Sequence, residues 1–198
     1  MTNHFRIANA RIATITLAAT VALLGGCASG SGTGTVAEQP DLPNTSTARA
    51  ATVVLAPASG SLVSGRLNAA PMGNGVHFTG EIGGLGKGST HAIHIHEKGD
   101  CSAADASSAG GHFNPAAKPH GKVESSNHHA GDMNNIVADR DGVAQVSVHA
   151  AGVSLGGRSR NDIAGRAVVV HAAPDDYTSQ PAGNAGARVA CGIITVQR

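Results

Sequence analysis

The chain has 198 residues, with 14 Lys and Arg against 13 Asp and Glu, so its formal net charge is only +1. This balance excludes a protein held to nucleic acid by its overall charge, and we expect no nucleic-acid partner. Only 2% of the residues are aromatic and Trp is absent, so a core must be built from Val, Ile, Leu and Ala.

Residues 1–26 have the pattern of a signal peptide. Two arginines precede residues 12–24, an uncharged apolar stretch that is too short to cross a membrane. Small residues then lead directly to Cys27, as at the site where bacterial lipoproteins are acylated. We therefore expect residues 1–26 to be removed and Cys27 to carry a lipid. An ordinary secretory signal that happens to contain a cysteine is the alternative.

Export would place the mature chain in the periplasm or cell envelope, anchored to a membrane through Cys27. Ala28 and Ser29 favour the outer membrane, because an aspartate in this place is linked to retention in the inner one. With Cys27 acylated, Cys101 and Cys191 are a single pair in an oxidising compartment. We therefore expect a disulfide between them.

Composition divides the rest of the chain at residue 51. Residues 27–50 contain the lipidated cysteine and a linker rich in Gly, Ser, Thr and Ala, which we expect to be flexible. From residue 51 to residue 198, short apolar runs alternate with Gly, Asn, Asp and Pro, which predicts one all-β domain, a sandwich or barrel. Eight strands are predicted: Thr52–Ala56, Ser61–Ala69, Gly75–Ile82, His91–His96, Asn134–Asp139, Val143–His149, Arg166–His171 and Val189–Gln197.

Two long stretches, residues 97–133 and 171–188, do not fit strands. Loops of this length without structure of their own are usually functional or disordered. These two contain most of the histidines that lie outside the predicted strands, along with Asp132, Asp175 and Asp176. We therefore expect both loops to be functional.

The fourth predicted strand contains His94-Ile95-His96. Because side chains alternate along a strand, both imidazoles lie on one face and Ile93 and Ile95 point to the other, into the core. Two imidazoles at this spacing suit copper or zinc. Such a pair taken alone is more often exposed and idle.

The loop that follows supplies His112, His120, the neighbours His128 and His129, and Asp132. Three histidines and one carboxylate make a closed tetrahedral zinc site, and spacing alone leaves both His128 and His129 open as the third nitrogen ligand. His171, at the end of an apolar strand, is either a further copper ligand or a core histidine bonded to a nearby aspartate.

Five segments carry a resemblance to a known family, in this order: His94-Ile-His-Glu-Lys-Gly-Asp-Cys101, Gly-Gly-His112-Phe-Asn-Pro, His129-Ala-Gly-Asp132, Val-Val-His171 and Gly183-Asn-Ala-Gly-Ala-Arg-Val-Ala-Cys-Gly192. Together they resemble the copper/zinc superoxide dismutases, from about Ala51 to the end of the chain. The resemblance implies an eight-stranded Greek-key barrel or sandwich with two long functional loops.

The resemblance also implies roles for single residues. The copper ligands would be His94, His96, His112 and His171. The zinc ligands would be His112, His120, His129 and Asp132, so that His112 bridges the metals. Asp175 would link a copper ligand to a zinc ligand, and Cys101 and Cys191 would form the family disulfide.

The implied activity is dismutation of superoxide to dioxygen and hydrogen peroxide by a cycling copper ion with a structural zinc, as antioxidant defence in the cell envelope. Arg188 would hold the superoxide anion beside copper, and His112 would supply a proton. A metal-buffering or copper-delivery lipoprotein on the same fold is the alternative. Patterning reveals no subunit interface, so a homodimer stays open.

Two departures from the family stand out. Ala92 stands where the family commonly has Gly, two residues before the first copper ligand. The segment 177–182 is short and lacks the charged side chains that often line the substrate channel.

Overall fold

The structure is a computed structural model that describes residues 45–197, and strands dominate this part of the chain. Their bounds are β1 Ala51–Pro57, β2 Ser64–Met72, β3 Gly75–Gly83, β4 Thr90–His91, β5 Ile93–His96, β6 Ile136–Val137, β7 Ala144–Ala151, β8 Ala167–His171 and β9 Arg188–Val196. A single turn of 3-10 helix covers Ser107–Ala109. Burial alternates along β1 and β7, as expected for strands with one face on a core.

The fourth predicted strand is broken at Ala92 into β4 and β5, because its two parts pair with different strands. β4 pairs with β6, whereas β5 pairs with β8. Ala92 itself bonds at both of its backbone groups, to Ala173 and to His171. The fifth predicted strand shortens to the two residues of β6, and the other predicted strands differ only at their ends.

Seven strands form one antiparallel sheet in the order β5-β8-β9-β1-β2-β3-β7, and β4 and β6 form a second, two-stranded sheet. The large sheet curls, and β6 contacts β7 at its far edge. The architecture is the predicted all-β barrel, with one of its eight strands split in two.

Aliphatic side chains dominate the core, as the composition predicted, with two phenylalanines among them. The largest fully buried ones are Phe78, Leu67, Ile82, Ile93, Ile95, Met133, Leu155, Ile163 and Ile194. Ile93 and Ile95 lie in this core as the alternation in β5 required. β5 is therefore fixed from its apolar face.

The packed part of the chain begins before β1. The backbone N–H groups of Thr47 and Ala48 both donate to the carbonyl of Leu155, and Leu155 N–H donates to Ser46 Oγ at 2.9 Å. Residues 45–50, which the sequence assigned to the linker, are thus held against the loop after β7. The predicted signal peptide, Cys27 and the rest of the predicted linker lie outside the described residues.

The two long loops, between β5 and β6 and between β8 and β9, contain little regular structure, as predicted. Within residues 45–197, no helix has the length and hydropathy needed to cross a membrane.

Candidate metal centre

β5 supplies the first two candidate ligands. His94 and His96 are both buried, at 0% and 1% exposure, although they point away from the isoleucines. Buried imidazoles need partners for both ring nitrogens. His96 Nδ1 donates to the carbonyl of Gly110 at 2.9 Å. This leaves the lone pair of Nε2 for a metal, and among the described residues Nε2 contacts only His171 Nε2, at 3.4 Å.

His171 reaches the same place from the end of β8. A β-bulge between Val170 and His171 shifts the register there and makes His171 the direct partner of Arg188 on β9. Bulges of this kind re-aim a side chain beside functional sites. His91 fixes the same turn, since His91 Nδ1 contacts the carbonyl of His171 at 2.8 Å.

His112 joins these residues from the loop, because its backbone makes an isolated β-bridge with His96. Each of the four histidines then offers a ring nitrogen within 4.8 Å of the others: His94, His96, His112 and His171. All four are buried. Four nitrogen donors this close together form a site suited to copper.

A second group shares His112 with the first and consists of His112, His120, His129 and Asp132. Asp132 Oδ1 lies 2.9 Å from His112 Nδ1, 3.0 Å from His120 Nδ1 and 3.3 Å from His129 Nδ1. Three ring nitrogens thus converge on one carboxylate oxygen. A set of three nitrogens and one carboxylate fills all four coordination positions of a zinc ion, as is typical of a closed zinc site.

The structure also separates the two neighbouring histidines that spacing left open. His129 belongs to the second group. His128 turns away from it, and its Nδ1 contacts the backbone carbonyl of His129 at 2.6 Å.

Three ring nitrogens of the centre are buried without a hydrogen bond of good geometry: His94 Nδ1, His112 Nε2 and His120 Nδ1. An unpartnered buried polar atom is costly to a protein unless something else satisfies it. The first two atoms belong to the first group and the third belongs to the second. This observation indicates that the pocket is shaped for a group outside the chain.

Asp175 connects the two groups. Its Oδ2 accepts a hydrogen bond from His94 Nε2 at 2.9 Å, and its Oδ1 accepts one from His120 Nε2 at 2.8 Å. Each bond fixes the tautomer of its histidine and turns the other nitrogen, Nδ1, toward the neighbouring ligands. Asp175 is itself 3% exposed, so both bonds are shielded from water.

No pattern in the sequence indicated which residues hold Asp175. The side-chain amide of Asn135 donates to the carbonyl of Asp175 at 2.9 Å and accepts from its backbone N–H at 2.9 Å. Gly183 lies over the carboxylate, and a Cβ there would overlap Asp175 Oδ1. Asn135 lay in a predicted strand and Gly183 in a loop, where neither residue type is unusual.

Arg166 is another residue that the sequence did not mark. Its guanidinium stacks on the ring of Phe113, 3.7 Å from the ring centroid, directly after His112 in the chain. Arg166 also donates to the carbonyl of Glu97 at 2.6 Å. Glu97 Oε1 in turn accepts from Gly111 N–H at 3.2 Å, so these contacts hold the backbone on both sides of His112.

Burial strongly lowers the pKa values of three histidines of the first group. Burial, together with the neighbouring histidines and Arg188, lowers the pKa of His96 to about 2 and that of His171 to about 3. Burial lowers the pKa of His112 to about 4 against the opposing pull of Asp132. These three imidazoles are therefore neutral at pH 7, which is the form that binds metal.

The second group has the opposite balance. Burial alone would lower the pKa of His120, but hydrogen bonds to Asp132 and Asp175 outweigh it and raise that pKa to about 9. Burial alone would raise the pKa of each aspartate, yet the hydrogen bonds from the histidines hold both well below their usual range. Both carboxylates are thus ionised.

Arg188 lines an open cleft beside the first group. The cleft is also lined by His96, His112, His171, Asn184 and Gly186. Arg188 Nη1 donates to the carbonyl of Ala106 at 2.7 Å and Nη2 to that of Gly110 at 2.6 Å. Burial lowers the pKa of Arg188, but a guanidinium stays charged at any ordinary pH.

The disulfide connects β9, on which Arg188 lies, to the loop whose carbonyl groups accept hydrogen bonds from Arg188. Cys101 and Cys191 are bonded across 90 residues of sequence, as expected. Cys191 lies three residues after Arg188 on β9. Its partner begins the segment that ends at Gly110, whose carbonyl also accepts from His96.

Comparison with known proteins agrees with this geometry. The family described as copper/zinc superoxide dismutase (SODC) matches residues 63–194. The chain is 46% identical over 114 residues to Cu-Zn superoxide dismutase 2 of Aquifex aeolicus (strain VF5), covering 56% of this chain and 67% of that one. It is 48% identical over 127 residues to Cu-Zn superoxide dismutase 2 of Mesembryanthemum crystallinum, covering 61% and 79%.

Solved structures share the fold. A SOD-like protein from Bacillus subtilis is 36% identical with a TM-score of 0.66, covering 72% of this chain and 97% of that one. The clock protein EA4 is 36% identical with a TM-score of 0.68, covering 77% and 97%.

Proposed function

Because the chain belongs to the copper/zinc superoxide dismutase family, we propose that it converts superoxide to dioxygen and hydrogen peroxide with bound copper and zinc. The fold alone does not decide this, since it also occurs in a SOD-like protein and in a clock protein. The observation that carries the proposal is the set of seven buried side chains in two groups that share His112.

The donor set fits both metals. Copper would be held by His94, His96, His112 and His171, whose neutral nitrogens face an open cleft. Zinc would be held by His112, His120, His129 and Asp132, a closed set with a carboxylate. When bound, copper supplies a one-electron redox couple, whereas zinc keeps one oxidation state and supplies charge and geometry.

Arg188 binds the substrate in this proposal. Its guanidinium faces the cleft beside His96 and His171, and the carbonyls of Ala106 and Gly110 fix its orientation. A fixed cation next to buried neutral imidazoles attracts a small anion and holds it there. Superoxide is such an anion.

His112 handles the proton. Its Nδ1 faces Asp132 on the zinc side, while its Nε2 faces the copper side and has no partner within the protein. Nε2 is therefore the atom at which this residue can take up and release a proton beside the bound anion. Asp132 holds the ring in place while the proton moves.

Lipid anchoring in the cell envelope, with the outer membrane favoured over the inner one, is a further part of the proposal. It rests on the signal-peptide pattern and Cys27, and a disulfide suits an oxidising compartment. Labelled fatty acid should be incorporated into the wild type but not into Cys27→Ala. Equal labelling of both proteins would contradict the proposed lipid anchor on Cys27.

A homodimer is also proposed. The outer face of β1 and β9 presents Val54 and Ile193, which are 60% and 40% exposed, together with the uncharged residues Thr52 and Thr195. Sedimentation should give the mass of two chains, and Val54→Glu should give one. Sedimentation of the wild type as one chain would contradict the dimer.

The decisive experiment compares the purified chain loaded with copper and zinc and the same chain loaded with zinc alone. We expect rapid dismutation only in the copper-containing form. If both metals bind in equal amount and turnover is absent, the ligand assignments survive. The metal-buffering or copper-delivery alternative then takes the place of the enzyme.

A further inference from the structure

A second pair of histidines lies outside the metal centre. His77 on β3 and His149 on β7 are direct partners in the antiparallel register. Both are half-buried, and their ring centroids are 6.1 Å apart. In the order of the large sheet, β9, β1 and β2 separate these two strands from β5 and β8.

The side chains next to the two rings are small or, with one exception, uncharged. On the other side of His77, the direct partner on β2 is Ala70, which has a small side chain. The other outward residues of β3 and β7 here are Thr79, Glu81, Gln145 and Ser147. Among these residues only Glu81 is charged, and its charge is negative, so no cation on this face of the two strands competes for the site.

Both rings keep a nitrogen without a hydrogen-bond partner. His77 Nε2 contacts Ser147 Oγ at 3.1 Å and His149 Nε2 contacts Asn74 Oδ1 at 3.4 Å. Nδ1 of each ring is buried and unpartnered. An amide oxygen can only accept, so His149 Nε2 carries the proton and Nδ1 keeps a lone pair. Burial and the neighbouring His77 lower the pKa of His149, which favours its neutral form.

We propose that His77 and His149 form a surface binding site for one divalent transition-metal ion, with Cu²⁺ bound most strongly. Neutral imidazole is a preferred ligand of copper, zinc and nickel, and Cu²⁺ binds tightest in this series. Two nitrogens that share one ion at about 2.0 Å each lie at most about 4 Å apart. Directly opposite residues in an antiparallel pair begin with Cβ atoms about 4.5–5.5 Å apart, so rotation of the rings suffices.

The change needed for binding is small. The torsion that turns a histidine ring is broad and nearly two-fold, and the contacts that hold the present orientations are one bond of 3.1 Å and a weaker one of 3.4 Å. Turning a ring exposes its lone pair to an ion arriving from solvent. Asn74 Oδ1, beside His149, adds an oxygen donor nearby, and water completes the coordination.

This site would act separately from the metal centre. Neither histidine, nor Ser147 or Asn74, belongs to the two groups that share His112. Copper held here lies outside the cleft of Arg188 and so does not serve turnover. The site would let the chain carry a third metal ion on its surface after the metal centre has been filled.

The test uses the full chain with copper and zinc already loaded and unbound metal removed. Copper(II) is titrated into this protein in a calorimeter, and bound metal is counted by elemental analysis. We expect a third ion per chain in the wild type. His77→Asn and His149→Asn should each weaken its binding by about tenfold or more, since losing a ligand costs at least as much as losing one of its supports.

The matched control is His128→Asn, which removes another half-buried histidine that belongs to neither metal group. It should keep the third ion, and all these variants should keep the dismutase rate of the wild type. A wild type that binds no third ion would overturn the proposal. The same holds if the double variant His77→Asn with His149→Asn still binds the third ion as tightly as the wild type.

Discussion

The charge of Arg188 is held by backbone carbonyls and not by a carboxylate. Within the described residues, no Asp or Glu forms an ion pair with it, and its two bonds go to Ala106 and Gly110. A carboxylate would neutralise the guanidinium, whereas carbonyl groups only orient it. The full positive charge thus remains available to an anion in the cleft.

Replacing Arg188 by Ala should lower the dismutation rate by about ten- to a hundredfold, because the anion loses its fixed cation while all seven metal ligands stay. The measurement is the rate at low ionic strength, with copper and zinc counted in the same sample. Arg140→Ala is the control, since it removes the same charge from an exposed turn. Equal losses in both variants would show that net charge matters and not the position of Arg188.

The loop between β8 and β9 is shaped around Asp175. Gly183 has a φ of +64°, and its missing side chain leaves the space that the carboxylate occupies beside His120. The contact explains why a glycine is required here in addition to the backbone conformation. One position of this loop therefore controls whether both groups of the metal centre stay linked.

Gly183→Ala should weaken zinc binding by about ten- to a hundredfold, since the Asp175–His120 bond cannot form around the added Cβ. Gly186→Ala is a matched control: it has a φ of +76° in the same loop, but its Cβ would make only ordinary contacts, the nearest at 3.5 Å. Competition with a zinc-binding dye measures both affinities. Equal weakening would assign the effect to backbone strain alone.

The disulfide should stabilise the fold and the position of Arg188 together. Closing a loop of 90 residues contributes at most about 4–5 kcal/mol to the free energy of unfolding. Replacing both Cys101 and Cys191 by Ser should lower the denaturant midpoint of the metal-loaded protein and reduce its activity. Cys27→Ser removes a cysteine without touching the disulfide, and an equal midpoint for both variants would contradict the prediction.

Most strands could be predicted because alternating burial leaves a two-residue period in the sequence. The break at Ala92 could not, since it depends on which partner each half of a strand finds. The metal groups were predictable in part: histidine spacing marked the segments, and the family resemblance supplied the assignment of each metal. The supports Asn135, Arg166 and Gly183 act through shape and backbone contacts, for which their residue types carry no signal.

Across the whole molecule, buried histidines make the stability of the metal-free protein depend on pH. The folded pKa values of His96, His112 and His171 lie at about 2, 4 and 3, below the unfolded value of about 6.5. Their contribution is present above pH 6.5 and is lost as pH falls, because the unfolded chain then binds more protons. His120, with its pKa raised to about 9, contributes fully below pH 6.5 and loses its contribution as pH rises toward 9.

The unfolding temperature of the chelator-treated protein should therefore be highest near neutral pH. It should fall steeply from about pH 6.5 to about pH 4, where three histidines take up protons more readily in the unfolded chain. It should fall gently from about pH 6.5 to about pH 9, where only His120 loses its stabilising charge. Scanning calorimetry in a pH series measures it. A flat profile, or a steeper fall on the alkaline side, would contradict this balance.

The docking of residues 45–50 against Leu155 also sets how far the enzyme can move from its proposed lipid anchor. With the chain held from Thr45 onward, 18 residue steps remain back to Cys27, which span at most about 65 Å when fully extended. The catalytic domain would work in a layer of that depth along the membrane. Superoxide arising within this layer would be intercepted first, so the protected zone would be a surface and not the whole compartment.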